Sequence, residues 1–223
     1  AQARTHVEGA LTARTAHYRL GKTVFDGAPP RVDFTLDYDP RRQSSRIVGA
    51  IAGGRVVLND ALILTQAKGE FDADLVRDTV AANVALGSMR IAQKAELEKV
   101  APVSISGDLR LASDVATFGF DVKTPGGLAL GRGEGAHQVI TGKGEAIFDS
   151  GLLALSYYLQ PDKVIPALKG VVSGATGTTE GRARFAWDAA GVRSSATVNL
   201  GDVSFRGPGV AVSRTEGVAG KMV

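Results

Sequence analysis

Residues Arg31 to Asp39, "RVDFTLDYD", alternate apolar and polar side chains without a break, and the same rhythm recurs along the whole chain. Successive side chains of a strand point to opposite faces, so a period of two gives each strand one dry face and one wet face. Val32, Phe34, Leu36 and Tyr38 fall on one side, and Asp33, Thr35 and Asp37 on the other. Val103, Ile105, Leu109 and Leu111 alternate in the same way with Ser104, Ser106, Asp108 and Arg110. Ala116, Phe118, Phe120 and Val122 follow in the next run, and Phe71, Ala73 and Leu75 alternate with Glu70, Asp72 and Asp74. Further runs lie near 78–86, 88–97, 137–148, 152–159, 181–187, 195–200 and 202–206. The pattern predicts an all-β chain of a dozen or more antiparallel strands, roughly 8 to 14 residues apart.

Turn chemistry supports this map. The chain holds 28 glycines, and "DGAPP" (26–30), "AGG" (52–54), "TPGG" (124–127) and "AAG" (189–191) fall between alternating runs, where hairpins and loops are expected. One short helix is expected over 161–170, with Pro161 suited to its first turn, Gly170 to its C-terminal cap, and Pro166 limiting its length. Leu153, Leu155, Tyr157 and Leu159 are expected to finish the preceding strand on one face, and the next strands to begin at about 177. Val164, Ile165, Leu168 and Val171 would let the helix lie over the end of a sheet like a lid.

With 223 residues, 44% hydrophobic and 22% charged, the composition is that of one large globular β domain or two small ones. The most apolar long window, 47–64, carries Arg55, Asn59 and Asp60 at its centre, where each charge would cost about 2.5–3.5 kcal/mol in a bilayer. It is no transmembrane helix, and residues 1–20 are too charged for a signal peptide. The net charge of +3 is dispersed, with no basic block to track a phosphate backbone, so nucleic acid is not an expected partner. Cysteine is absent, which removes disulfides and thiolate metal sites and suits cytosol and periplasm equally. The chain opens on the strand-like "ARTHVEGALTAR" and stops at "EGVAGKMV", and reads as a piece of a longer protein.

Motifs that carry chemistry fail on inspection. "RLGKT" (19–23) ends like a phosphate-binding loop, but position 16 is Ala where the motif needs Gly. "GRGEG" (131–135) has no following helix and reads as a hairpin or bulge. His6, His17 and His137 stand alone in sequence, with only His6 and His17 able to meet across a hairpin. Ser173 lacks the first glycine of a nucleophile elbow, and Glu96 and Glu98 read as a solvated strand face. The expectation is a non-enzyme without cofactor or metal.

Residues 148–223 carry an ordered set of features: an apolar strand, then Leu159, Gln160 and Pro161, a short helix closing at Gly170, and a strand with Gly181 leading to Phe185, Ala186 and Trp187. "SSATVNLGDVSF" and a closing strand around Gly217 and Gly220 follow. This region resembles the C-terminal part of the YdbH-like proteins of the AsmA-like superfamily, which also contains TamB and YhdP. The resemblance implies a division into 1–147, a segment of repeated antiparallel strands, and 148–223, the C-terminal-type region. It implies a curled antiparallel sheet forming an elongated apolar groove in a periplasmic envelope protein. Such a protein is anchored in the inner membrane through a segment absent here and conducts phospholipids between inner and outer membranes. Partners would be phospholipid acyl chains and membrane proteins reached through the absent regions. The groove lining would then be Val32, Phe34, Leu36 and Tyr38; Val103, Ile105, Leu109 and Leu111; Phe118, Phe120 and Val122; Leu153, Leu155, Tyr157 and Leu159; and Phe185 with Trp187. Alternation alone equally suits a closed sandwich, so a structural or adhesive β-module, or a carbohydrate-active β-enzyme, remains an alternative.

Overall fold

Alternating runs of this kind satisfy their backbone N–H and C=O groups by pairing sideways, and they do so here in a single antiparallel sheet. The computed structural model describes residues 4–20, 23–94, 99–207 and 214–222. Its strands are β1 (Thr5–Leu11), β2 (Ala16–Leu20), β3 (Thr23–Ala28), β4 (Arg31–Asp39), β5 (Ser44–Leu58), β6 (Leu62–Val76) and β7 (Thr79–Gln93). There follow β8 (Val103–Ala112), β9 (Val115–Lys123), β10 (Ala129–Gln138), β11 (Gly144–Leu155), β12 (Ser173–Asp188), β13 (Gly191–Arg206) and β14 (Arg214–Met222). All 14 belong to one sheet in the order β1-β4-β5-β6-β7-β8-β9-β10-β11-β12-β13-β14, with β2 on β3 and β3 on β5. The order runs from one edge to the other without closing. Because the described strands form one sheet, a two-sheet sandwich is excluded for them. The boundary drawn at 147/148 falls inside β11, so the two proposed regions share one sheet.

The first four strands correct the turn map. β3 and β4 lie end to end along β5, Phe25–Ala28 pairing with Leu58–Arg55 and Arg31–Asp39 with Ala52–Ser44. β1 and β2 lie in the same way along β4 and β3. "DGAPP" is therefore a break in a continuing run, because Pro29 and Pro30 lack the N–H that the ladder needs. "AGG" is not a loop either; it lies inside β5, where Gly53 (φ +79°) and Gly54 (φ +82°) face that break. A Cβ on Gly54 would sit 2.6 Å from the Pro30 nitrogen. His6 pairs with Asp37 and His17 with Asp26, so the two histidines do not face each other.

The irregularity continues across the sheet. Gly53 pairs with Ala67, beside a bulge at Gln66 (φ +56°), and Lys68 pairs with Ser88, beside another at Gly87–Ser88. That second bulge lets the two strands expected at 78–86 and 88–97 run on as the single β7 as far as Gln93; residues 95–97 of the second lie outside the described residues. β10 bulges between Ala129 and Gly131, and β11 between Asp149 and Leu152, where the Gly181 N–H donates to Ser150 Oγ (2.7 Å). Bulges bend a strand and raise its twist, so side-by-side bulges curve an open sheet without closing it.

Other boundaries move for similar reasons. The expected strand 137–148 contains a hairpin turn, with β10 ending at Gln138 and Gly142 at φ +69° before β11. β12 begins at Ser173, and 195–200 and 202–206 are one strand, β13, across a bulge at Asp202 (φ +50°). "TPGG" and "AAG" are turns, the former closed by the Gly127 N–H on the Thr124 carbonyl (2.9 Å). Glu96 and Glu98 lie outside the described residues.

An open sheet seals little, and the core sits at one end of it. β11 stops at Leu155, and the chain bends before a single helical turn α1 (Pro161–Val164), then a 3-10 turn (Pro166–Leu168). Pro161 opens α1 and Pro166 opens the 3-10 turn, and Gly170 follows at φ +78°. Tyr157 and Leu159 thus leave the strand that was expected to hold them. Leu159 is 5% exposed and shares a small hollow with Val103, Leu130 and Val164, whereas Tyr157 is 81% exposed. Of the four residues expected to face inward from the helix, Val164 and Leu168 are half-buried, while Ile165 and Val171 are exposed.

Gln160 locks this end in place. Its Nε2 donates to the carbonyls of Ser156 and Ala175 (2.9 Å to the latter), and its Oε1 accepts the Ala175 N–H at 2.8 Å. Ala175 is 1% exposed, so the side-chain amide replaces a strand partner where no water reaches. Gln160→Glu, which puts a carboxylate oxygen against two carbonyls, is expected to lower stability by about 1–3 kcal/mol at neutral pH. Thermal melts at neutral and acid pH check this, with partial recovery expected once the new carboxyl is protonated.

Candidate functional site

Directly paired residues of an antiparallel sheet share a face, so register alone shows which side chains meet. One row runs Gly9, Phe34, Gly49, Phe71, Val84, Leu109, Phe118, Gly135, Ala146, Phe185. Beside it run Leu11, Val32, Ile51, Gly69, Leu86, Gly107, Phe120, Gly133, Phe148, Ala183. On the other side run Val7, Leu36, Ile47, Ala73, Ala82, Leu111, Ala116, His137, Gly144, Trp187. Ten strands thus contribute to one unbroken face of three rows in which His137 is the one polar side chain. Val103, Ile105 and Val122 extend it toward α1, and Tyr38 toward the opposite rim. Leu153 and Leu155 pair with Thr179 and Gly177 on the same face, carried there by the β11 bulge. Leu109 and Phe185 remain 38% and 40% exposed, and no large side chain of the described residues is fully sealed.

The glycines of these rows have a physical reason. The Phe34 ring tip reaches over Gly9, Phe71 over Gly49, Phe118 over Gly135 and Phe120 over Gly133. A Cβ at Gly133 would lie 2.2 Å from Phe120 Cζ, and one at Gly49 2.7 Å from Phe71 Cζ. Trp187 covers Gly144 in the same manner, and its Nε1–H donates to His137 Nδ1 at 3.1 Å. An aromatic ring leaning onto a bare backbone shields that stretch of ladder and levels the surface. "GRGEG" is therefore not a hairpin; beyond the bulge before Gly131, Gly133 and Gly135 lie inside β10 as seats for Phe120 and Phe118. These seats, and Phe71, Val84, Leu86 and Phe148, complete a lining that residue type alone had left with gaps. A signal was available for Gly9, Gly49 and Gly144, each in phase with the apolar residues of its own strand, but not for Gly133 and Gly135, whose phase in β10 leads to His137.

The opposite face is charged. Asp121, Arg132, Asp149 and Arg182 form one cross-strand row of alternating sign. Arg46 Nη2 donates to Asp72 Oδ2 and Arg31 Nη2 to Asp33 Oδ1, both at 2.6 Å. The Arg31 guanidinium holds the Asp33 carboxyl below its ordinary range. Hollows of about 700 Å³ and 570 Å³ open on this face, the larger between the rows of Asn83, Arg110, Thr117 and Glu145 and of Asp108 and Glu134. Leu109 and Phe118, which alternate with those rows along their strands, also border the hollow. The apolar face is thus a strip of surface, and these deeper concavities belong to the polar side.

At the edge, His6 Nδ1 lies 2.7 Å from Asp37 Oδ1 and Nε2 lies 3.5 Å from Glu8 Oε1. The hydrogen bond to Asp37 first, and then that to Glu8, raises the His6 value above 6.5. A raised folded value means the protonated pair stabilises the edge below the ordinary histidine range and that this is lost as pH rises through the folded value. An NMR titration of His6 is expected to show a midpoint above that of an unpaired histidine, with Asp37→Asn moving it down.

No three His, Asp or Glu side chains gather as a metal-ligand set among the described residues, and none of their helices is long and apolar enough to cross a membrane. No family model, curated protein or solved structure matches the chain.

Proposed function

We propose that the chain is a segment of an envelope protein that conducts phospholipids between the inner and outer membranes along the apolar face of its sheet. The observation that carries this is the face itself: three in-register rows across ten strands, apolar but for His137, with side chains still open to water. Across its ten strands, about 4.8 Å apart, the strip is about 43 Å long in the stacking direction. An acyl chain occupies half of a hydrocarbon core of about 30 Å, so it would span about three strands. Burial at about 25 cal/mol per Å² is non-directional, so a chain can move from row to row without meeting a residue that fixes it. The rings seated on Gly9, Gly49, Gly133 and Gly135 keep the path level, and the phosphate would remain in water at the rim. On this reading the protein is non-catalytic, is located in the periplasm and is anchored in the inner membrane through a segment not present in this sequence. The experiment is mass spectrometry of the purified chain: co-purified phospholipid is expected, and a lipid-free preparation from cells that make the folded chain counts against it.

A second reading is favoured by the hollows on the charged face. Asn83, Arg110, Thr117, Glu134 and Glu145 would suit a polar polymer such as a carbohydrate, bound by an adhesive module. Glycan-array binding abolished by Arg110→Ala is the result expected on that reading.

A further inference from the structure

The end of the sheet that holds α1 differs in chemistry from both faces. Tyr157 and Tyr158 are 81% and 78% exposed, packed edge to face with ring centroids 5.6 Å apart. Lys163 Nζ sits 4.9 Å from the Tyr157 ring centroid and donates to the Tyr157 carbonyl at 2.7 Å. Tyr158 and Lys163 border the same hollow as Thr124 and Pro125, from the turn between β9 and β10. Exposed Ile165 and Val171 follow in the chain, and Leu128 is exposed in that neighbouring turn. In the segments 123–130 and 156–172 the charged residues are Lys123, Lys163 and Lys169 against a single carboxylate, Asp162.

We infer that this end is a docking surface for an anionic lipid bilayer. The argument is one of matched chemistry. Tyrosine has an apolar ring and a polar tip, which suits the headgroup level of a bilayer, and the exposed aliphatic side chains beside it can enter the acyl boundary. Lysines beside them complement a negative surface, each strengthening attachment about fivefold. The surface is firmly mounted, since Leu159 is buried beneath it, Gln160 pins Ala175, and the Ala101 N–H donates to the Val164 carbonyl at 2.8 Å. The inference deepens the conduction reading, for which it supplies a contact with a membrane at the rim of the strip beside β8–β10, but the attachment does not depend on lipid moving along the sheet.

Flotation with vesicles of phosphatidylcholine, with and without phosphatidylglycerol, tests it. The chain is expected to float only with the phosphatidylglycerol vesicles, and less as salt is raised. Tyr157→Ala with Tyr158→Ala is expected to reduce flotation at least tenfold, and Lys163→Glu with Lys169→Glu at least twentyfold. Melting curves show whether these variants fold; should Lys163→Glu not fold, Lys123→Glu with Lys169→Glu takes its place, because neither lysine side chain makes a hydrogen bond or ion pair among the described residues. Leu109→Asp separates the two readings, since it is expected to empty the strip of lipid while leaving flotation unchanged. No flotation of the parent chain, flotation indifferent to phosphatidylglycerol, or equal flotation of all variants overturns the inference.

Discussion

Leu109→Asp is expected to lower the phospholipid that co-purifies with the chain at least tenfold while leaving it folded. Leu109 lies at the middle of the apolar face, paired with Val84 on one side and Phe118 on the other, and is 38% exposed. A carboxylate there keeps its water in the free protein, so the folding cost should stay near 1 kcal/mol. An acyl chain lying across it must strip that water away, at several kcal/mol, and loses its place on the strip. Leu109→Met, of similar volume and equally apolar, should keep the lipid. A loss of several kcal/mol of stability instead would mean that Leu109 sits in a sealed core, which an open strip does not have.

Gly133→Val should have the largest effect on stability, a loss of about 3 kcal/mol, read as a melting temperature lower by about 6–12 °C. The Phe120 ring tip occupies the space of the new Cβ, and Phe148, on the far side of Gly133, belongs to the same row. The ring must stand up from the sheet or the strands must part. A double-mutant cycle isolates the cause: with Phe120→Ala in place, the cost of Gly133→Val should fall by more than half, because the space is then empty. Additive losses would show that the glycine is needed for its backbone and not as a seat.

Much of this fold is legible in the sequence, for a physical reason. Alternation such as that of Val32, Phe34, Leu36 and Tyr38 encodes which face each strand presents, and register then follows wherever a hairpin is short. What alternation does not encode is whether an interruption reverses the chain or merely bends it. Pro29–Pro30 and Gly53–Gly54 look like hairpins but are a break and a kink facing each other across one pair of strands. Gly87–Ser88 divides β7 on paper and only bulges it in space, whereas the true hairpin at 139–143 is hidden because Val139 and Ile140 look like strand. At the site, residue type identified most of the large side chains but left out Phe71, Val84, Leu86 and Phe148, while Gly133 and Gly135 became functional positions only once register had placed Phe120 and Phe118 over them. Leu159 and Tyr157 share a parity but not a fate, because the strand ends at Leu155 and the bend toward α1 buries one and exposes the other.

Thr117 and Phe118 are neighbours in β9 that point to opposite faces, and they offer the most direct test. A photo-activatable residue placed at each in turn, in cells, should give phospholipid adducts from position 118 and none from position 117. Adducts to protein alone from position 118, or lipid adducts from both positions alike, would contradict the account of a lipid-bearing apolar face.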